Sequence, residues 1–207
     1  MTEYPALIVA PQTGEEQLHH GGQSMDANLL DFWRWAYSDL ASNAGRGILA
    51  EYIVARALGI AHGVRREWTA CDLTSSSQLR IEVKSAAYLQ SWEHKKLSNI
   101  VFSICPTYCL HPNNTLSTER ERQSDMYIFC LLHHKNKATL DPLNLDQWCF
   151  YIVPTVLLNE KFSQQKTLRL SSLMKLEPQC VQFSELSQGV QSVADALNLA
   201  TKEIVIE

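Results

Sequence analysis

Several things are missing from this 207-residue chain, and each absence narrows what it can be. No apolar run reaches the roughly 18 residues needed to cross a bilayer, so no membrane span is expected. The first residues, MTEYPALIVAPQTGEEQ, carry no basic leader, and their short apolar stretch is broken by Pro5 and Pro11, which argues against a secretion signal. A cytoplasmic location is the expectation. There is no regular cysteine framework. The six cysteines are scattered, and in a chain of this length without a leader they read as reduced core thiols. Cys105, Cys109 and His111 form a C-x3-C-x-H run, and Cys130 is followed by His133 and His134, but no second pair at zinc-finger spacing exists, so a structural zinc is not expected. Internal repeats and low-complexity segments are also lacking, apart from Ser75, Ser76 and Ser77. An excess of positive charge is absent too: the net charge is −4.

What is present is 45% hydrophobic and 19% charged residues, enough for one full globular core. The charge is uneven. Residues 41–100 hold eight Lys/Arg against five Asp/Glu, a local balance of +3 that leaves −7 for the rest. A locally basic segment within an acidic chain is compatible with a phosphate-binding face.

Residues 1–25, with LHHGGQS near their end, read as an irregular arm. A single domain is expected over 26–207. Asp26 is placed to cap a helix reaching about Leu40, with Leu29, Leu30, Trp33, Tyr37 and Leu40 on one core-facing stripe. SNAGRG reads as a break. The following GILAEYIVARALG reads as a second, largely buried helix ended by Gly59. Glu51 is a lone carboxylate on the apolar face of that helix, where it needs a basic partner or a metal. Two short β-prone runs around the serines, in REWTACDLTSSSQLRIEVKS, predict a β-hairpin with Asp72 on its first arm and Glu82 on its second. SNIVFSIC, SDMYIFCLL and QWCFYIVPTVLL predict three strands, nearly continuous in apolar character, as in central strands covered on both faces. NNTLSTERERQS reads as a polar loop, and SQGVQSVADALNLAT as a helix. The order of elements is that of an α/β fold with a central mixed β-sheet flanked by α-helices.

Strand periodicity puts Glu82 and Lys84 on the same face, with Ile81 and Val83 on the other. Asp72 on the adjoining arm is close enough to share a cation with Glu82. Two hard carboxylates suit Mg²⁺, with Mn²⁺ as an alternative. Asp72, nine intervening residues, Glu82-Val83-Lys84 and an upstream helical Glu51 together resemble the PD-(D/E)xK nuclease superfamily, the restriction-endonuclease-like fold. The motif covers about Gly45 to Trp92. The family's leading proline is absent, since Cys71 precedes Asp72. E-x-K by itself has little specificity, because Glu93-His94-Lys95 repeats it in a polar stretch.

The resemblance implies Glu51, Asp72, Glu82 and Lys84 as catalytic residues, with a metal held by Asp72, Glu82, the Val83 carbonyl and Glu51. It implies a metal-dependent endonuclease hydrolysing DNA, of a restriction, repair or defence kind, acting as a homodimer. Arg46, Ser85 and Gln90 are candidate nucleic-acid contacts, with Arg56, Arg65, Arg66, Lys95 and Lys96 as further phosphate contacts. Tyr88 and Trp92 suit base stacking as well as they suit a core. Two alternatives stay open: a non-catalytic nucleic-acid-binding or interaction module on the same fold, and an RNA-directed nuclease.

Overall fold

A computed structural model describes residue 4 and residues 7–67, 69–110 and 115–204 of the chain. In chain order the elements are β1 (Gln17–His20), β2 (Gln23–Asn28), α1 (Leu29–Tyr37), α2 (Asn43–Ala57), β3 (Leu73–Thr74) and β4 (Arg80–Ala87). Next come β5 (Val101–Ser103), β6 (Thr107–Leu110), β7 (Leu116–Glu121), β8 (Met126–Leu132), β9 (Trp148–Pro154) and α3 (Thr155–Phe162). The chain closes with β10 (Thr167–Arg169), α4 (Leu170–Leu173), β11 (Gln179–Val181) and α5 (Leu186–Ile204). The side chain of Cys109 and all of His111 lie outside the described residues.

The central sheet has five strands in the order β11-β9-β8-β4-β3. Only β4 and β8 run parallel; the other neighbours are antiparallel. All seven residues of β8 are buried, and so is β9 from Trp148 to Val153, as their unbroken apolar runs require. Helices α2 and α5 cover one face, where Ile53, Val54, Ile81, Val83, Ile128, Phe150 and Val190 form one core cluster. On the other face the small β5–β10 sheet, α3 and α4 bring Phe102, Leu158, Leu168 and Leu173 against Tyr127, Phe129 and Leu131. The mixed sheet flanked by helices is the expected fold class.

Several local expectations are corrected. The stretch read as an irregular arm contains the β1–β2 hairpin, in which His20 pairs with Gln23 across Gly21 and Gly22. Both glycines have positive φ, 59° and 78°, as a two-residue turn with the twist of its strands demands. The first helix starts later than expected. Asp26 lies in β2, and Asn28 is the cap, its side chain accepting the Asp31 N–H at 3.0 Å while the Asp31 carboxylate accepts the Asn28 N–H at 3.1 Å. None of α1 is buried, and on the expected stripe Leu30 is 39% and Tyr37 46% exposed, so the stripe is not core. Periodicity reports that a helix has an apolar face, not what covers it. SNAGRG is the first turn of α2 rather than a break. Ser42 caps it, and a Cβ on Gly45 would strike the Asp39 carbonyl oxygen, so close packing explains that glycine. Part of the polar loop forms the β6–β7 ribbon. Finally, SNIVFSIC supplies no central strand: its β5 pairs with β10 in a separate two-stranded sheet, with Phe102 buried and Val101 and Ser103 exposed, because only one of its faces meets the core.

Other signals hold. Gly59 (φ +68°) ends α2: its N–H donates to Arg56 O at 3.2 Å, and the Ile60 N–H donates to Ala55 O at 2.9 Å. α2 buries Ala50, Ile53, Val54 and Ala55 against the sheet, although Tyr52 on its outer side is exposed. The β3–β4 hairpin turns at the serines, with Gln78 at φ 65°.

The start of β4 is tied to the entry of β8. Asp125 accepts the Arg80 N–H at 2.8 Å and its guanidinium at 2.7 Å. Burial works to raise the Asp125 pKa, but the hydrogen bonds and charge of Arg80 outweigh it, and the net shift is downward. A carboxyl with a depressed folded pKa stabilises above its unfolded pKa, and that contribution is lost as pH falls through the folded value. Arg80 is half exposed, so Asp125→Asn is expected to cost only about 0.5–1 kcal/mol at neutral pH. Urea unfolding should show this gap closing below the ordinary aspartate range. A gap that is constant with pH would refute the charge assignment.

Candidate active site

Among the described residues β3 pairs with only Ile81 and Arg80 of β4, and no other strand pairs with that edge from Glu82 onward. Asp72, just before β3, fills the first position of that edge: its Oδ2 accepts the Val83 N–H at 2.8 Å. Within a strand, the N–H and C=O of one residue face the same side, so the Val83 carbonyl also faces this edge.

Lys84 Nζ sits between two carboxylates, 2.5 Å from Glu82 Oε1 and 3.5 Å from Asp72 Oδ2. The side chains of all three are between one fifth and about one quarter exposed. The second Glu82 oxygen accepts the Ser124 hydroxyl at 3.1 Å. Burial lifts the Glu82 carboxyl above the usual range; the Lys84 charge opposes this and the Asp72 charge adds to it. Burial works against the Lys84 ammonium, yet the charges of Asp72 and Glu82 prevail and its pKa is raised.

Glu51 is placed differently. Its two oxygens accept Arg65 Nε at 2.6 Å and Nη2 at 2.9 Å, a two-pronged pair. This hydrogen bonding is the chief reason the Arg65 pKa is raised. The pairing with a basic residue is the other role open to a lone helical carboxylate. Glu51 and Asp72 line one pocket of about 380 Å³, with Arg65, Arg66 and His62 on its walls. Among the described residues no group of three His, Cys, Asp or Glu side chains is set to hold a metal ion. Of the four expected metal contacts, Asp72, Glu82 and the Val83 edge lie together, while Glu51 is paired with Arg65.

That smaller set still fits a hard divalent cation. Asp72 and Glu82 already converge on one cation, the Lys84 ammonium, and Mg²⁺ is usually held by one or two carboxylates, with water and phosphate oxygens completing its shell.

Arg46, Ser85 and Gln90 come from α2, β4 and the turn after it, and they meet in a second pocket of about 350 Å³. Asn43 and Asn99 share its walls. Sequence reading missed Ser124, Asn43 and Asn99, which have no local signature. Ser124 reaches Glu82 only because the parallel register sets Ile81 beside Met126. Of the further phosphate candidates, Arg65 is engaged with Glu51 and Glu67. Trp92 is 51% exposed, and Lys135 lies 4.7 Å from the centre of the Tyr88 ring.

Comparison with known proteins gives the class first: residues 21–172 match a family of endonucleases. The family is described as Bacteriophage T4 endonuclease IV, and the chain belongs to it. No curated protein matches the chain. Among solved structures, the bacterial homing endonuclease I-Ssp6803I is similar at 20% identity, over 62% of this chain and 78% of that one, with a TM-score of 0.34. At that level the likeness carries no argument about site or mechanism. Among the described residues no helix is long and apolar enough to cross a membrane.

Proposed function

We propose that the chain is a metal-dependent endonuclease that hydrolyses DNA phosphodiester bonds at the open edge of β4. The family supports endonuclease chemistry. The observation that carries the site is the convergence of the Asp72 and Glu82 carboxylates on Lys84 Nζ, next to unpaired strand edge.

In this reading Asp72 and Glu82 hold Mg²⁺ or Mn²⁺, with the Val83 carbonyl on the same side. When bound, the ion supplies Lewis-acid stabilisation of phosphate charge and a more acidic water. The chain's own groups do the rest. Ser124 fixes the Glu82 oxygen that does not face Lys84. The Val83 N–H fixes Asp72. Lys84 presents a positive charge at the height on β4 where a phosphate would lie, which favours the more negative transition state over the ground state. Glu51, held by Arg65, sets the wall of the adjoining pocket rather than the first contacts of the ion.

Supercoiled plasmid and a matched RNA, each incubated with the protein and Mg²⁺, Mn²⁺ or EDTA, test this reading. Nicking of the plasmid that needs the metal and fails in Asp72→Asn is the expected result. Inertness on DNA with both metals would refute it. Cleavage of RNA alone would move the substrate assignment.

A further inference from the structure

Two arginines in this fold are buried without a carboxylate, and they are not alike. Arg122 has a partner on every nitrogen: Nε donates to Ile104 O, Nη1 to Asn159 Oδ1, and Nη2 to Phe162 O and Gln165 O, all at 2.7–3.0 Å. It clamps a loop. Arg46 is only 4% exposed, yet its hydrogen bonding is incomplete. Nη1 donates to Ala41 O at 3.1 Å and to Gln90 Oε1 at 3.2 Å, and Nη2 donates to Asn43 Oδ1 at 2.7 Å. Its Nε has no partner, and among the described residues no carboxylate pairs with it. A buried, unneutralised guanidinium is costly. Burial accordingly lowers the Arg46 pKa.

The location of this cation gives the cost a purpose. Arg46 does not face a closed core; it lines the polar pocket that Ser85, Gln90, Asn43 and Asn99 share. Gln90 is itself held in place, donating to Ala87 O at 3.2 Å and Ser98 Oγ at 3.3 Å. The pocket borders the edge of β4 just past the carboxylates, on the α2 side that Ser85 shares with Val83, so a strand that reaches both must cross this edge. Ser85 is two residues beyond Val83, roughly 7 Å along the strand, on the order of one nucleotide step. Asn99 and Val101 also line a neighbouring pocket that carries Tyr88 and Arg169, so the polar surface continues past Arg46. An anion with several oxygens suits this wall, where the unneutralised guanidinium charge lies beside the Ser85 hydroxyl and the Asn43 and Asn99 side-chain amides.

We propose that the Arg46 pocket is a preformed phosphate subsite, holding the backbone phosphate next to the one presented to Asp72, Glu82 and Lys84. The proposal rests on the endonuclease reading for the identity of the ligand, but not for the existence of an anion site.

The test uses the full chain carrying Lys84→Ala, so that the probe is not consumed, and a fluorescent oligodeoxynucleotide titrated by anisotropy over a series of salt concentrations. Adding Arg46→Gln is expected to raise Kd about tenfold on any sequence. It should also lower the slope of log affinity against log salt by about one, the loss of a single phosphate contact. Arg46→Lys should keep the slope but lose part of the affinity, because a point charge cannot fork onto an oxyanion. Ser85→Asp keeps Arg46 and gives it an internal counter-charge. It should melt no lower than its parent yet bind several-fold more weakly, a pattern that a purely structural Arg46 does not produce. If Arg46→Gln fails to fold, Ser85→Asp decides.

Unchanged affinity and slope in Ser85→Asp would overturn the proposal even if the wild type cleaves DNA. If the parent binds no oligonucleotide, the endonuclease reading fails, and inorganic phosphate becomes the probe. A melting temperature higher in sodium phosphate than in sodium chloride of equal ionic strength, with the rise lost in Ser85→Asp, would then establish a free-phosphate site. No rise in the parent would overturn the subsite as well.

Discussion

Lys84→Ala is expected to lower metal-supported DNA cleavage by about 10²–10⁴-fold, the range of a lost charge-stabilising or proton-transferring group. The size of the effect follows from its position. Nζ lies within 3.5 Å of both carboxylates assigned to the ion, so it would act at the same phosphate. The loss should fall on the single-turnover rate, with oligonucleotide affinity nearly unchanged, because an interaction made mainly in the transition state lowers the rate and not the binding. Removing the ammonium also leaves Asp72 and Glu82 facing each other. Rates should therefore be compared at saturating Mg²⁺, where the ion replaces the missing charge, and with Lys84→Gln as a variant of similar length. A mutant that retains a rate within about threefold of wild type would place the chemistry elsewhere in the fold.

The largest effect on stability is expected one strand away. Phe129 is Lys84's register partner on β8 and is fully buried. Its ring centre lies 4.9 Å from that of Phe102 and 5.8 Å from that of Tyr127, so it joins the central sheet to the β5 layer. Phe129→Ala removes this aromatic contact and leaves a cavity between two rigid layers, at a cost of about 3–5 kcal/mol. Against a typical total of roughly 5–15 kcal/mol, that is a large share. Guanidinium unfolding should show a lower midpoint, with cleavage at low temperature falling less than stability. A loss below about 1 kcal/mol would mean that the β5 layer closes onto β8 without it.

Much of the scaffold could be read directly from the chain. The continuous apolar runs of β8 and β9 required burial on both faces, and they became the centre of the sheet. Alternation in RIEVK put Ile81 and Val83 into one core and left Glu82 and Lys84 together on the other face. The serine turn brought Asp72 back beside them. These features depend on neighbours within about a dozen residues, so local period and turn chemistry suffice. The β1–β2 and β6–β7 ribbons were missed because their residues are mostly polar, and the pairing that makes them strands is not a hydrophobic pattern. The Gly21-Gly22 turn was a usable signal for the first ribbon.

The sequence by itself determined the α/β class, the sheet's central strands and the short-range trio of Asp72, Glu82 and Lys84. Tertiary structure alone decided that Glu51 meets Arg65, because the loop after Gly59 returns that arginine to the helix. It also decided that Arg46 on α2 meets Ser85 and Gln90 at the far end of β4, a convergence set by how α2 seats on the sheet. Pairings that cross tens of residues depend on the packing of whole elements, and no local spacing encodes them.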